Sequence, residues 1–274
     1  SSIKCLLIDD NQKTLATSSH DFTISTPKSG WAEQDPSFWI NGLSKCLNVL
    51  NKNVDFKKIL SISFSGQMHG ATCLNQEGKI IRPSILWNDT RSFKECESMM
   101  DISPDIMDIT GNLAMPGFTA PKIAWMREHE PEAFKAIDKV LLPKDYLRFY
   151  LSNEFFTDMS DASGTYWLNV GERKWSKKLL DLCDLTEDNM PQLCEGTAQT
   201  GVVSKKIAET YGFDYACKII GGAGDNAAGA IGLGLISEGE GSISLGTSGV
   251  IFTPTSKFKK NYHDATHSFC HCVP

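Results

Sequence analysis

The stretch Ile219–Gly234, IIGGAGDNAAGAIGLG, passes from two β-branched apolar residues into a run of Gly and Ala holding one acid, Asp225. Its opening, CKIIGG, reads as a short buried strand, and the residues after the turn read as a helix beginning at Asn226 or Ala227 with Asp225 as its N-cap. Strand, glycine turn and helix form the repeating unit of layered α/β folds, where ligands sit beyond the carboxyl ends of strands. Capping is one use for Asp225, and a functional acid is the other. Capping alone leaves the small neighbours unexplained, because each helical Gly costs about 1 kcal/mol relative to Ala. Gly229, Gly232 and Gly234 therefore predict close approach by another element or by a ligand.

The same alternation extends outward. DPSFWINGLSKCLNVLNK has Asp35 as N-cap and Pro36 in the first turn, with Trp39, Leu43, Cys46, Leu47 and Leu50 at helical spacing. KILSISFSGQMHG alternates Leu60, Ile62 and Phe64, then enters a glycine-bounded loop. ATCLNQEGKIIRPSILW reads as two strands around a turn at Gln76 to Gly78. Further helices are predicted over Pro121 to Glu130, Pro131 to Val140, Trp175 to Cys183 and Ser204 to Tyr211. SISLGTSGVIF reads as strand, tight turn, strand. Its TSGVIF faintly echoes the opening SSIKCL, a weak sign of two related halves.

Composition narrows the function classes. The 274 residues are 41% hydrophobic, enough for a sizeable core. A net charge of −6 disfavours a nucleic-acid partner, which would call for a basic face. Nine cysteines with no C-x-x-C pair and no leader-like apolar segment suggest reduced thiols in the cytoplasm. No apolar run reaches membrane-spanning length.

Three loops offer chemistry. SGQMHG presents Gln67, Met68 and His69 at the end of a strand, and GGAGDNAAG presents Asp225 and Asn226 at the end of another. In the third, Gly246, Thr247, Ser248 and Gly249 can aim N–H groups and hydroxyls at an anion. Each taken alone is equally an ordinary surface turn.

Taken together and in order, FSGQMHGAT, RPSILWNDTRS, TGNLAMPGFTAPKIAWM, VLLPKDYLR, TDMSDASGTYWL, GDNAAGAIGLG, SLGTSGV and HSFCH resemble the FGGY family of carbohydrate kinases, in the pattern of its xylulose-phosphorylating members. The resemblance implies a ribonuclease H-like α/β fold of the actin, sugar kinase and Hsp70 type. It implies a sugar-binding domain over residues 1–236 and, over 237–274, the start of an ATP-binding domain. It implies phosphorylation of D-xylulose by ATP with Mg²⁺, in the cytoplasm, and leaves a homodimer open. In it, Asp225 matches the general base. Met68 and His69 match the pair lining the sugar, with Gln67 and Asn226 beside them. Trp87 falls where an indole packs on the polyol, and Gly246 and Thr247 match the second phosphate loop. The chain opens past the family's D-x-G-T loop, which leaves Lys4 as the phosphate-side residue, so a fragment inactive by itself is expected. Ribulose, gluconate or glycerol-type substrates, or a non-catalytic sugar-binding relative, are the alternatives.

The residue types suit phosphoryl transfer, which needs an in-line geometry, stabilised charge and a carboxylate to accept the hydroxyl proton. A helix N-terminus behind Asp225 would favour its ionised form. A rival reading takes His263, His267, Cys270, His271 and Cys272 as metal ligands. Strand alternation would place Ser268, Cys270 and Cys272 on one face and His267, Phe269 and His271 on the other, so that set does not converge.

Overall fold

The strand expected at CKIIGG forms at Lys218–Ile220, parallel to Ser61–Ile62 and antiparallel to Gln199–Val202. The structure, a computed structural model, describes residues 1–245, 249–261, 263 and 265–274. Beyond Gly222 the chain resumes as Ala223–Gly224, parallel to Ser65–Gly66. The strands leading to SGQMHG and to GDNAAG are thus neighbours running the same way. Their loops leave one carboxyl edge side by side, which the linear sequence does not reveal.

The packing here explains three glycines. Gly222 has φ 81°, and a Cβ on it would strike the Phe64 carbonyl oxygen. A Cβ on Gly221 would strike the Glu195 carbonyl oxygen, and one on Gly224 would lie 2.9 Å from Met68 Cγ. The expectation for Gly229, Gly232 and Gly234 is corrected: a Cβ on any of them meets open space within the described residues, and only Gly234, at φ 76°, needs glycine for its backbone.

The helix predicted after Asp35 spans Pro36–Leu50, and the Asp35 carboxylate caps the N–H of Ser37. Its Leu43, Leu47 and Leu50 pack with Phe56, Ile207 and Ile219 in one core cluster. The N-terminal hairpin of Ser2–Ile8 and Thr14–Asp21 lies on this helix, where a Cβ on Gly42 would crowd Ile3. A larger core gathers around Trp167, Ile123, Met126, Leu168 and Leu180.

Several boundaries move. The helix expected from Pro121 spans Thr119–His129, and the one from Ser204 spans Lys205–Tyr211 with Ser204 as N-cap. The helix from Pro131 stops at Lys135, because Val140 belongs to the strand Lys139–Leu141, paired antiparallel with Thr72–Leu74. Trp175 likewise sits in a strand, Lys174–Trp175, ahead of a helix confined to Lys177–Asp181. The second strand of the ATCL segment is Ser84–Ile85, paired with Glu33–Gln34. The helix Pro143–Ser152 has no counterpart in the sequence reading: the residues it buries include Lys144, Asp145 and Arg148, which a search for apolar periodicity passes over.

The hairpin Ser242–Leu245 with Gly249–Phe252 forms as expected. Its turn residues Gly246, Thr247 and Ser248 lie outside the described residues. HSFCHC is not a paired strand, yet the alternation holds, with Cys270 and Cys272 buried. All nine cysteines are unpaired. Among the described residues no helix is long and apolar enough to cross a membrane.

Candidate active site

Asp225 is the first residue of the helix Asp225–Gly232, and Gly224 holds the N-cap position. The capping expectation is corrected: the carboxylate takes the adjoining N–H of Asn226, at 2.8 Å from Oδ1. Relieved of capping, an exposed carboxylate stands at the rim of the edge formed by the two strands. Its ionisation also departs from expectation. Burial by the surrounding protein raises the carboxyl above its usual range, although the side chain reaches solvent. The N–H groups of Asn226 and of Asp225 itself only partly oppose that. A carboxylate raised in this way holds a proton more strongly than an ordinary aspartate.

Met68 connects this acid to the neighbouring loop. Its side chain is buried and fills the gap between Gly224, where a Cβ would lie 3.0 Å from Sδ, and Gly164, where a Cβ would lie 3.0 Å from Cε. His69 follows at φ 70°, a left-handed conformation that costs a non-glycine residue on the order of 1–2 kcal/mol. Two donors hold it there. The His69 carbonyl accepts from Thr119 Oγ1 at 3.0 Å and from Lys122 Nζ at 2.9 Å, while Lys122 also donates to the Gly117 carbonyl at 2.6 Å.

The His69 ring lies 2.8 Å, through Nδ1, from the carbonyl of Gly164. A carbonyl only accepts, so Nδ1 carries the proton and Nε2 keeps a lone pair. Burial drives the imidazole down to about 3, and the nearby Lys122 ammonium pushes the same way against the pull of that carbonyl. His69 is therefore neutral near pH 7, an acceptor at Nε2 rather than a cation. Phe118 packs edge-on at 5.0 Å between ring centroids, and Phe269 lies 6.0 Å away. His267 stacks on Phe269 at 5.7 Å, so the segment that begins at His267 returns to wall the His69 side of the site.

Trp87 is 53% exposed and open to a ligand's apolar face. Its backbone carbonyl abuts Gly117, where a Cβ would lie 2.7 Å away, which ties it to the turn before Phe118. Asp89 anchors the loop beyond it, accepting the Ala32 N–H at 2.6 Å and pairing with Arg91 at 2.7 Å. Arg91 in turn lies 3.6 Å over the Trp31 ring.

The remaining expected residues divide. Asn226 is exposed beside Asp225. Gln67 Nε2 is turned to Gln34 Oε1 at 3.4 Å, an oxygen that also accepts from Trp39 Nε1 at 3.0 Å. Lys4 is exposed on the N-terminal hairpin opposite Ser19, not on the elements that carry Asp225 and His69. Among the described residues no three His, Cys, Asp or Glu side chains converge as a metal site. Cys270 Sγ faces the Val170 carbonyl and Cys272 Sγ faces that of Ala227. Sequence reasoning missed Lys122, Phe118 and Gly164, whose signal lay in GFTAPK and DASGT as small or charged residues destined for burial.

A match to the FGGY family of carbohydrate kinases, N-terminal domain, covers residues 1–232. A xylulose kinase of Escherichia coli strain K12 is 43% identical over the whole chain, which spans 56% of that relative. A crystal structure of a kinase from Brucella ovis, described as a xyloylose kinase, superposes with a TM-score of 0.97 at 44% identity, over 100% of this chain and 57% of that one. A gluconate kinase structure from Lactobacillus acidophilus matches at a TM-score of 0.89 and 27% identity, over 98% of this chain and 56% of its own. The chain spans about half the length of the curated relatives it matches.

Proposed function

The chain belongs to the FGGY family of carbohydrate kinases, with its α/β actin-like kinase fold, and from that membership we propose that it forms the sugar-binding half of a kinase transferring phosphate from ATP to D-xylulose. The observation that carries the proposal is the shared carboxyl edge of the strands Ser65–Gly66 and Ala223–Gly224, where Gly224, next to Asp225, packs on Met68, next to His69.

In this reading a sugar hydroxyl donates its proton to Asp225 as its oxygen attacks the γ-phosphorus. Neutral His69 accepts a second hydroxyl at Nε2, orienting the sugar without adding positive charge. The indole of Trp87 covers the carbon face of the chain. Met68 and Phe118 exclude water, which would otherwise compete for the phosphoryl group. ATP supplies that group, and Gly246 and Thr247 are the residues proposed to meet its phosphates. No cage for an ion is built among the described residues, so magnesium would arrive on the nucleotide phosphates, its usual manner of binding.

The test is ADP release by the full-length protein against xylulose, ribulose, gluconate and glycerol. Preference for xylulose supports the reading. Preference for gluconate would favour the second reading raised by the gluconate kinase structure. No turnover with any of them would defeat both.

A further inference from the structure

Behind the segment that presents Asp225 lies a group of five charged side chains, none more than 2% exposed: Lys144, Asp145, Arg148, Asp158 and Asp161. Lys144 Nζ pairs with Asp158 Oδ2 at 2.6 Å, Asp145 Oδ1 at 2.7 Å and Asp161 Oδ2 at 3.2 Å, and Arg148 Nη1 reaches Asp145 Oδ1 at 3.3 Å. Burial pulls the Lys144 amine down, but its three carboxylates outweigh that and hold it charged. Burial also drives Asp161 well above the usual carboxyl range, against Lys144 and with the help of Asp145 and Asp158.

This group grips both ends of one four-residue segment. At its start, Arg148 Nη2 donates to the Gly221 carbonyl. At its end, the Gly224 N–H donates to Ser160 Oγ at 3.0 Å, and the Ser160 hydroxyl donates to Asp158. Asp158 Oδ1 also takes the N–H groups of Ser160 and Asp161 at 3.0 and 3.1 Å, so Ser160 is itself rigidly held. Net stability is a poor explanation for such a group, since buried ion clusters gain little over well-packed apolar residues. What it does here is fix a backbone, and among the described residues the Asp225 carboxylate is held by local backbone N–H groups, not by another side chain.

We propose that the buried ion cluster is the positioning device for Asp225, acting through Ser160 on Gly224 and through Arg148 on Gly221. The inference rests on Asp225 being the general base. Ser160→Ala in the full-length protein removes the acceptor for Gly224 and leaves every charge in place. Misplacement of a reacting group by about 1 Å costs on the order of 10²-fold, so a fall in kcat of roughly 10- to 100-fold is expected, with KM for the sugar held within about 3-fold. Hydrogen exchange of the peptide covering 221–225 should quicken about 10-fold as the Gly224 N–H loses its partner. In an Asp225→Ala background the same change should add less than about 2-fold, because the two act as one unit.

An unchanged kcat with only a lowered Tm overturns the proposal, as does an undiminished loss in the Asp225→Ala background. Ser160→Cys, which keeps the volume but weakens the acceptor, carries the same test should the alanine variant not fold. A wild-type protein inactive on every sugar would defeat the kinase reading instead. Exchange over 221–225 would still decide the clamp: unchanged rates overturn it and faster rates support it.

Discussion

Gly164→Ala is a sharp probe of the proposed sugar site, because it adds one methyl group at a backbone that has no need of glycine for its φ. The new Cβ would lie inside van der Waals contact of Cε1 and Nδ1 of His69 and 3.0 Å from Met68 Cε. Carbon atoms rest at about 3.5–4.0 Å, so the imidazole must retreat by about 1 Å. It cannot retreat freely, since Phe118 stands 5.0 Å away on one side and the His69 backbone is pinned by Thr119 and Lys122. The ring therefore gives up its 2.8 Å bond to the Gly164 carbonyl. An unpaired buried carbonyl costs about 1–3 kcal/mol, and overpacking costs a similar amount. Stability should fall by about 2–6 kcal/mol in sum. With the Nε2 acceptor displaced, kcat/KM for the sugar should fall by roughly 10²-fold. Thermal unfolding and steady-state kinetics of the full-length protein measure both. In a His69→Ala background Gly164→Ala should cost much less than it does in the wild type, because the obstructing ring is gone. A Gly164→Ala enzyme with unchanged Tm and unchanged kcat/KM would refute the placement of His69 against Gly164.

Three further outcomes are expected. Asp225→Asn should lower kcat by roughly 10²- to 10⁴-fold, with sugar affinity by calorimetry nearly unchanged. Because burial raises the Asp225 carboxyl, the acid limb of kcat should lie above the usual aspartate range. Turnover falls as pH falls through it, and the pH–rate profile of Asp225→Asn should lose that limb. His69, held down to about 3, binds a proton in the unfolded chain before it does in the folded one. It should thus weaken folding as pH drops from 6.5 toward 3, by up to about 1.4 kcal/mol per pH unit, and His69→Gln should flatten the slope seen in urea titrations. Lys122→Met should leave the Gly117 carbonyl unpaired and the His69 carbonyl with Thr119 alone, at about 1–3 kcal/mol, read as a lower urea midpoint.

The local units were legible in the residues alone. Apolar spacing marked the helix Pro36–Leu50 and its cap, the short strand at Lys218–Ile220 and the hairpin of Ser242–Leu245 with Gly249–Phe252. The order of the loops pointed to the FGGY family and singled out Asp225, Met68 and His69. These signals are legible because a helix or strand face declares itself in the periodicity of its own residues. Long-range folding settled the rest. Parallel pairing of segments some 150 residues apart brought the two loops to one edge, and no local pattern encodes that partner. It moved Asp225 out of the capping position and showed the crowded glycines to be Gly221, Gly222 and Gly224 rather than those downstream. It also buried Lys144, Arg148 and Lys122, which apolar periodicity does not mark for burial. A charge tolerates burial only where other elements supply its counter-ions and carbonyls, and those arrive only when the chain has folded.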